Sequence, residues 1–337
     1  MGLKSYNEHQ ITLFEHIQKL IPDNRALVDV ISELLNISHD AAYRRIRGEK
    51  IIDFEETVFL ANHFKISLDA FIQNVVIYDD KLLKCSYSPL DLKDVNNHLQ
   101  YLKSQLNDIE SIRMSVPNAE LIMSAATIPT CTHVQYKELT FFILYSWSNS
   151  VYDFSGRYED FVEWLDVDSV ISYYEKIVDN YLHCPSTEIW TANTMDRILS
   201  LLSHYYEMGY FNDEKMPLLI CEQLMDMIST MQHWAEKNSK GPYDSPYKLY
   251  VSEIEFDNSY VLYKRENESK CFLRLFTING ITSTDMRFCN EIEQWLENIT
   301  HRSTLISGTA GKERYKFFTE LRQKVKFAID RINKINQ

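Results

Sequence analysis

The feature that most restricts the fold is a pair of short helical patterns separated by only three residues, within LVDVISELLNISHDAAYRRIRGEK, residues 27–50. The apolar residues of the first pattern recur at helical steps and form one stripe: Leu27, Val30, Ile31, Leu34 and Leu35. Asn36 tolerates the left-handed conformation of a tight turn, and Ser38 is a good N-cap. The pattern predicts two helices joined by a tight turn.

The second helix, from about His39 to Arg47, has little apolar surface to bury. Ala42 and Ile46 lie one turn apart and face inward, and Arg45 flanks the core. The opposite side carries polar and aromatic residues: His39, Asp40, Tyr43, Arg44 and Arg47. Residues 44–50 contain three arginines and one lysine, although the formal net charge of the chain is −13. Such a face is typical of a helix that contacts a phosphate-rich partner, and the ordinary alternative is a solvated face.

Helical patterns surround this pair. A first amphipathic helix ends before Pro22, and Asp53 with Glu56 forms the capping-box pattern of a fourth helix. Ser67 is placed to cap a short fifth helix. The predicted inward residues of these helices are Ile11, Phe14, Ile17 and Ile21, then Val58, Ala61 and Phe64, then Leu68, Phe71 and Ile72. Residues 1–75 therefore form a predicted five-helix domain.

These five short helices resemble the phage-repressor, or XRE, type of helix-turn-helix DNA-binding domain, through residues 27–50 and the following FEETVFLANHFKISLDAFI. The resemblance implies that the third helix enters the major groove of double-stranded DNA. By position, the base-facing residues would be His39, Asp40, Tyr43 and Arg44, with Ser38, Arg47 and Lys50 on the phosphate backbone. Two positions depart from the family pattern: Val28 replaces a polar residue and Asn36 replaces the turn glycine. The alternative is a helix-turn-helix that serves only for packing or protein docking.

A linker is predicted over residues 76–91, and a heptad-like stripe follows it. The stripe has steps of 3, 4, 3, 4 and 3 and comprises Leu92, Val95, Leu99, Leu102, Leu106 and Ile109. Pairing of two chains along it would make a homodimer that reads two half-sites. His98 would then be a flanking position. The alternative is a helix that packs against its own domain.

The remaining chain predicts a mainly α protein with a small α+β C-terminal part. Residues 92–240 carry helical patterns crowded with aromatic residues and a short extended piece at 118–129, and form a predicted helical dimerisation or sensor region. Aromatic residues at helical spacing are usually core, and a ligand pocket is the alternative. Beyond Lys240, residues 241–337 predict a three-stranded sheet with helices over about 284–298 and from Gly311 onward.

A basic helix near the C-terminus suggests a candidate anion site at Ser307, Thr309, Lys312 and Arg314. Gly308 and Gly311 are too close together for a phosphate-binding Walker loop, and Glu313 stands where that loop needs a hydroxyl. A capped helix N-terminus can still hold an anion. A solvated helix is the alternative.

Composition narrows the function classes. Eight glycines in 337 residues argue against glycine-rich nucleotide loops and favour helices, and six cysteines without a CxxC pair favour reduced thiols. We find no signal-peptide pattern, no run of 18 apolar residues and no catalytic motif, so we expect a cytoplasmic chain that does not contact a membrane and is not an enzyme, with no cofactor and no metal. Net acidity restricts nucleic-acid contact to a local surface.

The order of these parts, with EIWTANTMDRILSLLSHYYEMGYF and STLISGTAGKERYKFF, resembles bacterial regulators that carry an XRE-type reader and an uncharacterised C-terminal region. The expected function is a dimeric, sequence-specific transcription regulator whose C-terminal region assembles or senses an unknown small-molecule or protein effector. Two alternatives remain open. One is a DNA-tethered enzyme, which a buried cluster of titratable side chains would favour, and the other is a protein-interaction module.

Overall fold

The computed structural model describes residues 4–22, 25–66, 68, 83, 85–88, 90, 92, 94–152, 154–265, 268–275 and 279–335. The chain divides into two compact units, Met1–Leu82 and Leu83–Gln337. The division falls inside the predicted linker, most of which lies outside the described residues, as do Ser67 and residues 69–72 of the predicted fifth helix. The second unit contains both of the regions predicted from the sequence, 92–240 and 241–337.

The first unit contains four helices among its described residues: α1 (Lys4–Leu20), α2 (Leu27–Leu35), α3 (His39–Ile46) and α4 (Phe54–Phe64). Their apolar faces form one core, in which Phe14, Ile17, Ile31, Ala42 and Leu60 are fully buried. The predicted stripes of α1 and α2 therefore face inward. Leu60 was missed as a core residue, whereas Val58 and Phe64 are only half-buried.

The turn between α2 and α3 has the predicted chemistry. Asn36 adopts φ 50° and ψ 50°, and the Ile37 amide donates to the Ser32 carbonyl over 3.1 Å. The Ser38 hydroxyl accepts from the Ala41 amide over 3.3 Å and caps α3. The predicted capping box of Asp53 and Glu56 is also present. The positive φ at Asn36 turns the chain within three residues, because asparagine enters this region at low energetic cost.

Gln10 of α1 fixes the segment that follows α3. Its side-chain amide donates to the carbonyls of Arg45 (2.6 Å) and Lys50 (2.8 Å), and its side-chain oxygen accepts from the Ile52 amide (3.0 Å). One buried side chain thus satisfies three backbone groups that lie outside any helix ladder. The end of α3 and the loop after it are therefore held firmly against α1.

The second unit alternates strands and helices. Its strands are β1 (Ser86–Ser88), β2 (Ala119–Ala125), β3 (Ser186–Trp190), β4 (Ser239–Lys240), β5 (Ser245–Val251), β6 (Tyr260–Arg265), β7 (Ser269–Arg274), β8 (Gly280–Ser283) and β9 (Thr304–Leu305). Its helices are α5 (Val95–Arg113), α6 (Thr130–His133), α7 (Lys137–Tyr152), α8 (Tyr158–Trp164), α9 (Val167–His183), α10 (Asp196–Glu207), α11 (Met216–Lys237), α12 (Met286–His301) and α13 (Gly311–Ile335). No described helix is both long enough and apolar enough to cross a membrane.

All nine described strands join one mixed sheet in the order β1, β8, β7, β6, β2, β3, β5 and β4, with β9 also paired to β5. The β2, β3 and β5 strands are mutually parallel, with Leu121 opposite Ser186 and Ser186 opposite Tyr247. The other pairs are antiparallel. The chain therefore crosses from β2 to β3 through α6–α9, and from β3 to β5 through α10 and α11, as parallel strands require.

Helices cover both faces of the sheet. One face, with Met123, Trp190 and Leu249, packs against α5, α7, α9, α11 and α13. The opposite face, with Ile122 and Ile189, packs against α12. Alternate residues of β2 and β3 thus enter two different cores, and the middle of the sheet is buried on both sides.

The predicted fold class, mainly α with a small three-stranded C-terminal part, is wrong. The sheet has nine strands, from Ser86 to Leu305, and spans the region predicted to be helical. The predicted extended piece at 118–129 contains β2, and the predicted strands correspond to β5, β6 and β7. Five strands were not predicted: β1, β3, β4, β8 and β9. The central one is β3, whose sequence STEIW does not alternate apolar and polar residues because both of its faces are buried.

Candidate functional site

The outer side of α3 gathers the predicted DNA-binding residues on one exposed surface. His39, Asp40, Tyr43, Arg44 and Arg47 are all exposed, whereas Ala42 on the opposite side is fully buried. Ser38 precedes α3 as its N-cap, and Lys50 lies exposed in the following loop. We call the seven residues Ser38, His39, Asp40, Tyr43, Arg44, Arg47 and Lys50 the α3 surface. The structure thus brings together every residue predicted for DNA contact.

Local contacts orient several of these side chains. The Arg47 guanidinium carbon lies 5.5 Å from the centre of the Tyr43 ring and Arg47 Nη1 lies 3.9 Å from a Glu49 carboxylate oxygen, both exposed contacts of low energy. His39 Nδ1 lies 3.7 Å from Asp29 Oδ1. Among the described residues, Arg44 has no ion-pair partner, so its whole fork of donors is available to a ligand.

The two adjacent arginines Arg44 and Arg45 have different environments. Arg45 is buried, and it donates from Nε to Glu56 Oε2 (3.0 Å) and from Nη2 to Glu56 Oε1 (2.6 Å). The hydrogen bond to Glu56 raises the pKa of Arg45. Glu56 also accepts from the Asp53 amide, so this bidentate pair joins α3 to the capping box of α4. Arg45 therefore stabilises the fold of the first unit, whereas Arg44 lies on its surface.

Arg45→Ala is expected to destabilise the first unit by about 2 kcal/mol, because it leaves the half-buried Glu56 carboxylate without its partner. Amide hydrogen exchange in α2, α3 and α4 should accelerate by roughly 30-fold, measured by mass spectrometry on the full chain. Arg44→Ala is the matched control and should leave the exchange rates unchanged. Equal protection in Arg45→Ala and the unmutated chain would contradict the structural role of Arg45.

Two apolar side chains near the α3 surface were missed by sequence reasoning. Ile51, next to Lys50, is 61% exposed, and Phe54, at the start of α4, is 75% exposed. Exposed apolar residues of this size are often part of a contact surface. Their only signal in the sequence is their position beside the capping residue Asp53.

The heptad-like stripe is occupied within the chain. Leu92, Leu102, Leu106 and Ile109 are buried, Leu99 and Val95 are half-buried, and α5 packs against α9 and the sheet. His98 was predicted as a flanking position, but its ring is buried. Burial lowers the pKa of His98 to about 4. Pairing of two chains along this stripe would require α5 to separate from α9 and the sheet, because most of the stripe lies in the core of the second unit.

The candidate anion site is also corrected. The buried Ser307 hydroxyl accepts from the Leu249 amide (2.8 Å), and Arg314 Nη1 donates to the carbonyls of Ile306 (3.0 Å) and Gly308 (2.8 Å). Only Thr309 and Lys312 are exposed. Ser307 and Arg314, two of the four predicted residues, thus hold the loop before α13 in place. They provide hydrogen bonds to backbone groups that no helix or strand would otherwise satisfy.

A buried polar cluster lies under the middle of the sheet. Glu188 of β3 accepts from the Tyr181 hydroxyl and from Trp190 Nε1 (3.0 Å). Lys240 Nζ donates to the Ser186 hydroxyl (2.6 Å) and lies 3.3 Å from the centre of the Tyr181 ring. Glu188 and Lys240 are both fully buried. We call Tyr181, Ser186, Glu188, Trp190 and Lys240 the buried polar cluster.

Burial dominates the protonation of this cluster. It lowers the pKa of Lys240 to about 7, although Glu188 opposes the change. Burial raises the pKa of Tyr181 well above its usual range, as does Glu188, so the Tyr181 hydroxyl stays a donor. Such a cluster marks either a reactive site or a structural ion pair. Full burial of both Glu188 and Lys240 favours the structural role.

The described residues contain no group of three or more histidine, cysteine, aspartate or glutamate side chains that could hold a metal ion. All six cysteines are free thiols. Burial raises the pKa of Cys131 to about 12, which keeps this thiol protonated and a poor nucleophile. Comparisons with protein-family models, with curated proteins and with solved structures found no match to this chain, so its functional assignment rests on its own geometry.

Proposed function

We propose that this chain is a sequence-specific regulator that binds double-stranded DNA through the α3 surface of a helix-turn-helix domain. The observation that carries the proposal is that the two sides of α3 have different environments. Ala42 and Arg45 are buried on one side, and Tyr43, Arg44 and Arg47 are exposed on the other. A helix that exposes arginine and aromatic side chains beside a capped N-terminus can bind phosphates and base edges together.

The chemistry of each residue suits one kind of contact. Arg44, without an ion pair to any described residue, can bind a guanine edge bidentately, and Asp40 can accept from cytosine. The Ser38 hydroxyl already accepts from Ala41 and keeps its hydrogen for a phosphate oxygen. Arg47 and Lys50 supply charge for the backbone. The net charge of −13 repels DNA from the rest of the surface, so DNA is attracted only locally and non-specific binding is weak.

Two-fold pairing remains part of the proposal, but through a surface other than the α5 stripe. A single α3 reads one half-site, and a cytoplasmic homodimer would read two half-sites about one helical turn apart. The second unit would assemble the dimer or respond to an effector. The alternative of a DNA-tethered enzyme has weak support, because the buried polar cluster is enclosed and Cys131 stays protonated.

Selection of bound sequences from a random DNA pool tests this function. The full chain is expected to enrich one motif, and a dimer would enrich it as two inverted copies with a fixed spacing. The Arg44→Ala chain serves as the comparison and should lose preference at one or two base pairs in each half-site. A pool that stays random after repeated rounds at about 0.1 M salt would sink the proposal.

A further inference from the structure

A pair of connected cavities lies at the edge of the sheet where the parallel strands β2 and β3 end. The first has a volume of about 60 Å³ and the second about 30 Å³. Trp147 of α7 and Arg274 of β7 line both of them. In sheets with parallel strands, ligands bind outside the carboxyl ends of those strands, where the following loops leave a crevice. The cavities occupy that position.

Arg274 is a half-buried cation without a counter-charge among the described residues. Its guanidinium carbon lies 5.6 Å from the centre of the Trp147 ring, and Nη1 donates to the Thr127 hydroxyl. No described residue forms an ion pair with it, and the described lining of both cavities contains no aspartate or glutamate. Burial lowers the pKa of Arg274, Tyr101 opposes this change, and the nearby Arg197 lowers the pKa further. An arginine carries five donors, so most of them remain for a ligand.

Of the groups near Arg274, Arg197 is positively charged and His133 is neutral. Arg197 lines the second cavity, is exposed, and also lacks an ion pair with the described residues. The buried His133 lies with Nδ1 3.1 Å from Thr140 Oγ1, and its Nε2 has no hydrogen-bond partner. Burial lowers the pKa of His133 to about 3, and Arg274 contributes to this shift. The site is therefore arranged for an anion, because a half-buried guanidinium without an ion pair is partly desolvated, and a bound anion offsets that cost.

We infer that these cavities form a binding site for a small organic carboxylate, whose carboxylate would pair with Arg274 and whose apolar part would lie against Trp147. Planar guanidinium groups bind carboxylates bidentately, which favours this class over a spherical anion. A cavity holds about one water-sized group per 10–15 Å³, so the first cavity accepts a ligand of roughly four to six non-hydrogen atoms. Arg197 stands at the exposed side, where the ligand would enter.

The position of the site links it to the start of the second unit. Leu90 and Leu92 are buried against Tyr101 and Trp147, two residues that line the first cavity. The Leu90 amide donates to Asn279 Oδ1 over 2.8 Å. A ligand that moves Tyr101 or Trp147 therefore acts on the segment that directly follows the division between the units. An effector role for the ligand rests on the proposed DNA-binding function, whereas binding itself does not.

Thermal unfolding of the full chain with propionate, pyruvate, propionamide or inorganic phosphate tests the site without DNA. The two carboxylates should raise Tm by about 3–5 °C at concentrations well above their dissociation constants, and the uncharged propionamide should not. Arg274→Met should abolish the shift and raise the Tm of the ligand-free protein, because it removes a half-buried charge that has no ion pair with the described residues. Arg302→Met, at the exposed C-cap of α12, is the matched control and should keep the shift.

Titration calorimetry provides a second measurement that does not depend on unfolding. Arg197→Ala changes an exposed side chain and should fold normally, and it should weaken propionate binding about tenfold. The inference is overturned if neither carboxylate binds, if propionamide or phosphate alone binds, or if Arg197→Ala and Arg274→Met bind propionate as the unmutated chain does. Because no DNA is present, these outcomes are independent of the selection experiment.

Discussion

Replacing Arg44 and Arg47 together with alanine is expected to weaken binding to the selected DNA by roughly 30- to 1000-fold, or about 2 to 4 kcal/mol. Both side chains are exposed, and neither contributes to the core, so the fold should be unchanged. The slope of log K against log salt should fall by about one, because Arg47 neutralises one phosphate whereas Arg44 contacts a base edge. Fluorescence anisotropy over a salt series measures both quantities.

A charge-matched control separates the α3 surface from overall charge. Lys19→Ala with Lys65→Asn removes two positive charges from exposed positions outside α3, and asparagine suits the positive φ of 56° at Lys65. This control should bind the selected DNA nearly as well as the unmutated chain. An equal loss of affinity in the control and in the Arg44/Arg47 variant would show that net charge, rather than the α3 surface, governs binding.

Glu188→Gln is expected to destabilise the second unit by about 3 to 5 kcal/mol near pH 6. The change removes the Glu188 carboxylate, whose charge opposes the effect of burial on fully buried Lys240, and a buried ammonium without a nearby opposite charge is strongly destabilising. The Tyr181 hydroxyl and Trp190 Nε1, which donate to the Glu188 carboxylate, would then have only a neutral amide oxygen as acceptor. Urea unfolding followed by tryptophan fluorescence measures the change.

The pH dependence of stability gives an independent signature of Lys240. Its pKa is about 7 in the folded chain, below the usual 10.5, so the unfolded state binds more protons between these values. The free energy of unfolding contributed by this group therefore rises as pH increases from about 7 to 10. In Lys240→Met this rise should disappear, and in Glu188→Gln it should begin at lower pH because the opposing carboxylate is gone.

The unmutated chain and Lys240→Met differ in no titrating group other than Lys240, so the difference between their pH profiles isolates that group. Profiles of the unmutated chain and Lys240→Met that run parallel from pH 6 to 9 would refute the depressed pKa. Ser186→Ala offers a milder comparison, because it removes only the hydroxyl that accepts from Lys240 Nζ. Its expected loss is about 1 kcal/mol.

The α3 surface was largely predictable because its determinants are local. Asn36 at the turn, Ser38 at the cap and Ala42 on the inner side all act within a few residues along the chain, and each has the predicted role. The role of Arg45 was only partly predictable, since its partner Glu56 is eleven residues away. Ile51 and Phe54 were missed because exposure of an apolar side chain depends on the packing of the whole unit.

The sheet and the second unit's sites depended on contacts between distant segments. The 3, 4, 3, 4, 3 spacing from Leu92 to Ile109 predicts an apolar helix face, but it does not specify whether that face meets a second chain or the chain's own α9. Arg274 showed no distinguishing pattern in a predicted strand. Its lack of an acidic partner becomes visible only when β7, α7 and the loop after β2 surround it.

The sequence by itself determined the helices of the first unit, their caps and the exposed polar side of α3, because helix periodicity and capping act over one or two turns. Only the tertiary structure decided that β2 and β3 form the centre of a nine-stranded sheet, that the α5 stripe is core, and that Lys240 is buried beside Glu188. The physical reason is that strand pairing and the burial of charge join residues far apart in the chain, and neither leaves a local period in the sequence.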